Sequence, residues 1–213
     1  MSGPLLSTIP VGPLQCNCTI LADVEAAEAV VIDPGDEPER IVRAIEATKC
    51  RALALLHTHG HFDHIGGTAA VRRATGAAIR IHAADRPLYD ALVEQASFFG
   101  LAAAPPAPPD GGFADGESIP FGRFALEAIH TPGHTPGSTC FRLDGESPVL
   151  FSGDTLFRRS IGRTDLWGGD TDAILESIRR KLFVLSDGLR VVCGHGPDTT
   201  IGEERRSNPF AAV

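Results

Sequence analysis

The sequence predicts a mixed α/β fold, and three observations carry the prediction. Short β-prone apolar runs recur along the 213 residues, segments of helical period lie between them, and a 43% hydrophobic composition suffices to build a core. In chain order, strands are expected near 15 to 22 and 28 to 33, the second holding Val30-Val31-Ile32. A helix around 37 to 48 leads to a strand at 52 to 56, a loop from His57 onward, and a helix across 65 to 75. Ile79-Arg80-Ile81-His82 reads as a short strand. Pro87 to Phe99 reads as a helix, with Pro87 in the first turn, where its missing N–H costs nothing. Residues 102 to 112, rich in Ala, Pro and Gly, mark a surface connection and the best boundary between two halves of one compact domain. Beyond it, Phe124 to Ile129 alternate as a strand, Pro148 to Phe151 and Leu189 to Val192 form two more, and Asp170 to Val184 is the clearest amphipathic helix. Its stripe is Ile174, Leu175, Ile178, Leu182 and Phe183.

Composition narrows the function classes. There is no twenty-residue apolar span, no secretory signal pattern and no lipidation motif, so a cytoplasmic protein without a membrane partner is expected. A net charge of −8 argues against a nucleic-acid surface. The five cysteines imply no disulfide framework. Cys16 and Cys18 share one face of a strand as small core residues, and Cys193 reads as a buried strand-end residue.

The densest chemistry lies in Thr58-His59-Gly60-His61-Phe62-Asp63-His64-Ile65-Gly66-Gly67, which sets four metal-binding side chains within six residues directly after an apolar run. Such a hexamer would arise by chance in roughly one such sequence per thousand. A loop at the C-terminal end of a strand is where open α/β sheets place their sites. His59 and His61, at i and i+2, converge on one ion if the backbone is extended, whereas helical ligation prefers i and i+4. Asp63 and His64 diverge as the loop turns into a helix and more naturally reach a second ion. Further donors are expected at later strand ends, and three appear in the same arrangement of strand, Gly, then donor: Gly133-His134, Gly153-Asp154 and Gly194-His195. His57, His82 and His130 fall outside this pattern and are read as structural or orienting groups.

With these motifs the chain resembles the metallo-β-lactamase-fold hydrolases, and within them the short glyoxalase II-like branch, from Val11-Gly12-Pro13-Leu14-Gln15-Cys16-Asn17-Cys18 through Ile32-Asp33-Pro34-Gly35-Asp36 to Asn208-Pro209-Phe210. The resemblance implies a four-layer αβ/βα sandwich: two mixed sheets face to face with helices outside, in one domain over 1–213 with two pseudo-symmetric halves joined near 102–112. It also implies that the chain lacks the C-terminal helical domain with which full-length glyoxalase II enzymes grip glutathione. By position, His59, His61 and His134 would hold one metal, Asp63, His64 and His195 a second, and Asp154 would bridge them. The cofactor expectation is two divalent ions, zinc first, with iron or manganese as alternatives. A water between two such ions is acidified toward a pKa of about 7. That metal-bridging hydroxide would attack a hydroxyacyl thioester such as S-lactoylglutathione, with Asp63 as the catalytic residue orienting or deprotonating the nucleophile.

The resemblance leaves the small-molecule thioester open. Arg163 stands where those enzymes carry a basic substrate contact, but no Tyr adjoins it, and Pro197 follows His195-Gly196 where another Tyr is common. Arg158, Arg159 and Arg163 could meet an anionic thiol carrier. A mononuclear iron persulfide dioxygenase using His59, His134 and Asp154, a lactonase and a noncatalytic metal or ligand sensor remain alternatives. A β-lactamase is disfavoured, since its second metal commonly uses Cys where Asp154 stands.

Overall fold

The computed structural model describes residues 3–212. Leu5–Val11 (β1) and Cys16–Asp23 (β2) form a hairpin, and Glu28–Ile32 (β3) adds antiparallel to β2. Helix Pro38–Thr48 (α1) then crosses to Arg51–Leu56 (β4), parallel to β3. Phe62–Ile65 (α2) and Thr68–Thr75 (α3) lead to Ala78–Arg80 (β5), parallel to β4. These strands make the first sheet, in the order β1-β2-β3-β4-β5. Arg86–Asp90 (α4) and Leu92–Phe98 (α5) follow, and residues 101–117 then run without helix or strand.

Ser118–Phe121 (β6), Phe124–His130 (β7), Thr139–Leu143 (β8) and Val149–Gly153 (β9) build the second sheet as antiparallel neighbours. A small hairpin, Leu156–Phe157 (β10) with Ser160–Ile161 (β11), stands apart. Thr171–Ser177 (α6) carries the chain to Arg190–Cys193 (β12), parallel to β9. Thr199–Thr200 (β13) and Ile201–Ser207 (α7) close the fold. The second sheet has the order β13-β12-β9-β8-β7-β6.

The strands read as near-continuous apolar runs because both of their faces are covered. Alternate residues go to different cores. Leu21, Val30, Ile32, Ala54 and Leu56 from the first sheet meet Leu126, Ala128, Phe141, Phe151 and Val192 from the second, forming the layer between sheets. Their neighbours Ile20, Val31 and Leu55 instead pack with Ile41, Ile45 and Val71 of the outer helices, and Cys140, Leu150 and Val191 pack with Ile174, Ile178 and Ile201 on the other side. The result is the four-layer sandwich of two mixed sheets flanked by helices. Cys16 and Cys18 are buried in the first outer core and Cys193 in the second.

Several elements differ from the sequence expectations. Strands β1, β6, β8, β10, β11 and β13 and helix α7 are not among the sequence expectations. The helix expected over 65–75 begins at Thr68 and is preceded by the separate short helix Phe62–Ile65, because the Gly66–Gly67 backbone between them passes against residues 34–36, with the Gly67 N–H donating to the Gly35 carbonyl at 2.8 Å. The expected helix over 87–99 breaks at Ala91, where the Gln95 amide donates to the carbonyls of both Leu88 and Gly60 and draws the chain inward. The Asp170 helix is regular only through Ser177. Ile178–Leu182 widens into a π turn closed by the Phe183 N–H on the Ile178 carbonyl at 2.8 Å. The short strand expected at 79–82 spans Ala78–Arg80.

At the end of the sandwich away from the C-terminus of β3, Asp23 ties the two sheets together. Its buried carboxylate accepts from the Arg123 backbone N–H at 2.8 Å and from Arg123 Nε and Nη2 at 2.9 Å each. Those bonds to Arg123 hold the Asp23 carboxyl well below the usual range, outweighing burial, which acts in the opposite direction. A carboxylate with a depressed folded pKa stabilises the protein fully above its unfolded value of about 4, and that stabilisation is lost as pH falls toward the folded value. Thermal melts should therefore show D23N less stable than the parent at pH 7, with the gap narrowing below pH about 4.

Candidate metal centre

Every donor expected from the sequence lies at the C-terminal end of a strand, on one edge of the sandwich. His59, His61, Asp63 and His64 follow β4, His134 follows β7, Asp154 follows β9 and His195 follows β12. Strands β7, β9 and β12 run in the same direction, so their ends converge there. His59, His61, His64 and His134 are buried. Asp63 and Asp154 keep 15% and 14% of their side chains open to a cavity above them, and His195 keeps 25%.

The donor atoms gather in overlapping sets that could each hold an ion: His59, His61 and His134; Asp63, His64 and His195; and His59, His64 and Asp154, which links the two. His134 Nε2 lies 2.9 Å from His61 Nδ1 and 3.2 Å from His59 Nε2. His195 Nε2 lies 3.1 Å from both His64 Nε2 and Asp63 Oδ2. Asp154 places Oδ1 at 3.4 Å from His64 and Oδ2 at 3.7 Å from His134.

Hydrogen bonds on the far side of the His59, His64, His134 and His195 rings decide which nitrogen faces the cluster. A carbonyl only accepts, so Nδ1 of His134, 2.7 Å from the Arg163 carbonyl, carries its proton and leaves Nε2 bare. His195 likewise donates Nδ1–H to the Leu14 carbonyl at 2.9 Å and His64 to Asp33 Oδ2 at 3.0 Å, so Nε2 is the nitrogen each turns to the cluster. Two divalent cations fit this donor set. Nitrogens sharing a tetrahedral ion at 2.0–2.1 Å stand about 3.3 Å apart, close to the spacings found. Moreover, Asp154 Oδ1 is buried without a hydrogen-bond partner among the described residues, a costly state unless a cation meets it.

Electrostatics divides the cluster. Burial pushes His59 well below the ordinary histidine value and His61 down to about 3, with neighbouring imidazoles adding to the effect, so both are neutral and bear lone pairs. Burial would lower His64 and His195 too, but Cys16 and the carboxylates of Asp154, Asp63 and Asp33 drive His64 well up. Asp63 and Asp154 likewise raise His195. In return, and against burial, His64 and its fellow histidines hold Asp63 and Asp154 below the usual carboxylate range.

Two buried carboxylates that sequence reasoning did not assign hold this geometry. Asp33, at the end of β3 with φ +51°, accepts from the Thr58 N–H at 2.7 Å, the Thr58 hydroxyl at 2.6 Å and His64 Nδ1. The Thr58 oxygen, its proton so committed, lies 3.1 Å from His59 Nδ1. Asp85 accepts from the Gly60 N–H at 2.8 Å, the Thr135 hydroxyl at 2.7 Å and the Gly137 N–H at 2.5 Å, joining the loop of His59 and His61 to that of His134. Burial raises the Asp85 carboxyl, and its three donors work against that rise. For Asp33 the signal was available, an acid directly after an apolar run; nothing local marks Asp85. Of the histidines left out, His57 spends both nitrogens on the Arg80 carbonyl and the Thr68 hydroxyl, while His82 stacks on His130 at 4.1 Å.

A cavity of about 720 Å³ opens over the cluster. His61, Asp63, His134, Asp154 and His195 line it, with Phe98, Phe99, Leu166 and Trp167 among its walls. Arg163 also lines it, and its guanidinium is paired with Asp165 at 2.7 and 2.8 Å.

A family model described as the metallo-beta-lactamase superfamily matches residues 11–195. Over 207 residues, 96% of this chain and 97% of the relative, the sequence is 42% identical to hydroxyacylglutathione hydrolase GloC of Haemophilus influenzae. A persulfide dioxygenase, mitochondrial ETHE1 of Bos taurus, is 34% identical over 92% of this chain and 72% of its own length. Among solved structures, the BLEG-1 B3 metallo-beta-lactamase superposes with a TM-score of 0.90 at 39% identity, covering 98% of this chain and 100% of that one. TTHA1623 in a di-iron-bound form superposes at 0.88 with 40% identity, covering 96% and 99%.

Two substitutions test the frame of the site. Asp85→Asn swaps an acceptor for an amide that faces three donors, and should weaken metal uptake by about tenfold or more and lower stability by about 3 kcal/mol, read by metal titration and denaturant unfolding. Gly194→Ala puts a Cβ onto Asp154 Oδ1 and within 3.0 Å of His64 Cε1, so it should reduce metal stoichiometry while circular dichroism shows the fold retained.

Proposed function

The chain belongs to the metallo-beta-lactamase superfamily, and from that premise we propose that it is a binuclear metal-dependent hydrolase cleaving hydroxyacyl thioesters of the S-lactoylglutathione kind. The observation that carries the reading is Asp154, whose carboxylate lies within 3.8 Å of both sets of donors, His134 of one and His64 and His195 of the other, at the floor of one cavity. His59, His61 and His134 would hold one cation, Asp63, His64 and His195 the other, and Asp154 would bridge them. Zinc is the first choice, and iron is supported by the di-iron form of the TTHA1623 neighbour. When bound, the two cations would supply Lewis acidity, acidifying a water and polarising the scissile carbonyl.

The chain's own residues do the rest. No Ser, Thr, Cys, Lys or Tyr is among the described residues that line the cavity, so no hydroxyl, thiol or amine side chain competes with solvent as the nucleophile. Asp63, kept ionised by His64 and His195 and partly open to the cavity, orients the attacking water and takes its proton. The water oxygen bonds to the carbonyl carbon, the C–S bond breaks, and the proton passes to the departing thiolate. A thioester suits a site without a strong general acid, because a thiolate leaves readily.

The similarity to GloC supports the hydroxyacyl thioester, and the similarity to ETHE1 supports a persulfide dioxygenase as the second reading. The proposal treats residues 1–213 as one domain whose halves join near 102–112, each half supplying donors. It places the enzyme in the cytoplasm, in keeping with five unpaired, buried cysteines. Among the described residues no helix is long and apolar enough to cross a membrane.

Metal analysis should find close to two ions per chain. His59→Ala and Asp154→Ala should each lose metal and at least about a hundredfold of thioesterase activity, at or beyond the top of the range for residues that only orient ligands, with the fold retained by circular dichroism. Thiol release from S-lactoylglutathione is the expected activity. Oxygen consumption with glutathione persulfide, with one iron per chain, would replace this reading by the second.

A further inference from the structure

The walls of the cavity differ from its floor. Of the four exposed aromatic residues among the described residues, Phe98, Phe99 and Trp167 all line it, with exposures of 81%, 44% and 64%. Free aromatic surface is thus concentrated at the mouth of the site, where a soluble domain ordinarily keeps it only for a ligand. Phe99 is braced in place, its ring stacked on Phe62 at 5.0 Å and set edge-on to Phe98 at 5.3 Å. Trp167 comes from a separate loop.

Charge completes the picture. Arg163 is the one Lys or Arg among the residues lining the cavity, and its guanidinium is engaged by Asp165. Glu94 adds a further carboxylate, so one cation faces two acids along the walls. Any charge that bound cations bring lies at the floor, where the carbonyl must sit. A thiol half bearing two carboxylates and one ammonium, as glutathione does at neutral pH, would set its two anionic groups against aromatic surface and like charge, with only the Asp165-paired Arg163 to meet them.

We infer that the preferred substrate is a thioester whose thiol half is uncharged and apolar, aromatic or branched aliphatic, seated against Phe98, Phe99 and Trp167. The inference rests on the reading of the site as a thioester hydrolase. The aromatic walls give such a group its affinity through burial, and the absence of an unpaired wall cation sets the discrimination against one that carries two carboxylates.

The experiment compares the metal-loaded protein on two substrates that share the lactoyl group, the thioester of benzyl mercaptan and that of glutathione. The benzyl thioester should show a kcat/KM higher by about tenfold or more, the ratio expected from burying one ring-sized apolar group. Trp167→Ala and Phe98→Ala, both at exposed positions, should narrow that ratio, chiefly by raising KM for the benzyl thioester. Trp167 is the sole tryptophan of the chain, so its emission reports the wall directly. Benzyl methyl sulfide should shift that emission in the metal-free and metal-loaded protein alike, and S-methylglutathione should not. A kcat/KM ratio of one or less, or emission indifferent to the sulfide, overturns the inference while leaving a thioesterase. Failure to cleave either thioester overturns the hydrolase reading and the inference together.

Discussion

The site depends first on one buried carboxylate. Asp33 receives the Thr58 N–H, the Thr58 hydroxyl and His64 Nδ1, and through the Thr58 oxygen it reaches His59. One member of each donor triad is thereby oriented by the same side chain. Such an acid is costly to bury, and full satisfaction by donors from the neighbouring strand end is what makes it tolerable. Because β3 and β4 are parallel and adjacent, their C-terminal ends bring Asp33 and Thr58 together without a long connection.

The second constraint is spacing between strand ends. Four loops must meet within a few ångströms, and each is shaped by close backbone approaches. Gly194 passes against Asp154 Oδ1, where any Cβ would intrude. Gly153, the last residue of β9 at φ +48°, turns the chain so that Asp154 faces inward. Asp85 then locks the loop of His59 and His61 to that of His134. Remote from this edge, the Asp23–Arg123 pair joins the sheets, so the sandwich is pinned at both ends around its apolar middle layer.

These features separate chemistry from recognition. The donors come from strand ends held by buried acids and by carbonyls of Leu14 and Arg163, a rigid setting suited to charge. The walls come from α5 and the loop around Trp167, which are more exposed and carry aromatic surface beside Glu94, Arg163 and Asp165. A common reaction centre can in this way serve different substrates by changes confined to the walls.

The sequence alone determined the alternation of strands and helices, the location of the donor-rich loop after β4, and the repeated pattern of strand, Gly and donor that picked out His134, Asp154 and His195. These are local signals: apolar period and residue chemistry at a strand end. Only the tertiary structure decided the rest, because it depends on residues far apart in the chain. The breaks at Gly66–Gly67 and Ala91 arise where the chain packs against residues 34–36 and Gly60. The partnership of Asp85 with Thr135 and Gly137 spans some fifty positions and leaves no mark in any local window. Which imidazole nitrogen faces the cluster is set by carbonyls of Arg163 and Leu14, and a backbone oxygen looks the same in every sequence. So too with the cavity: Phe98, Phe99 and Trp167 read as ordinary apolar residues until the fold brings them to one mouth.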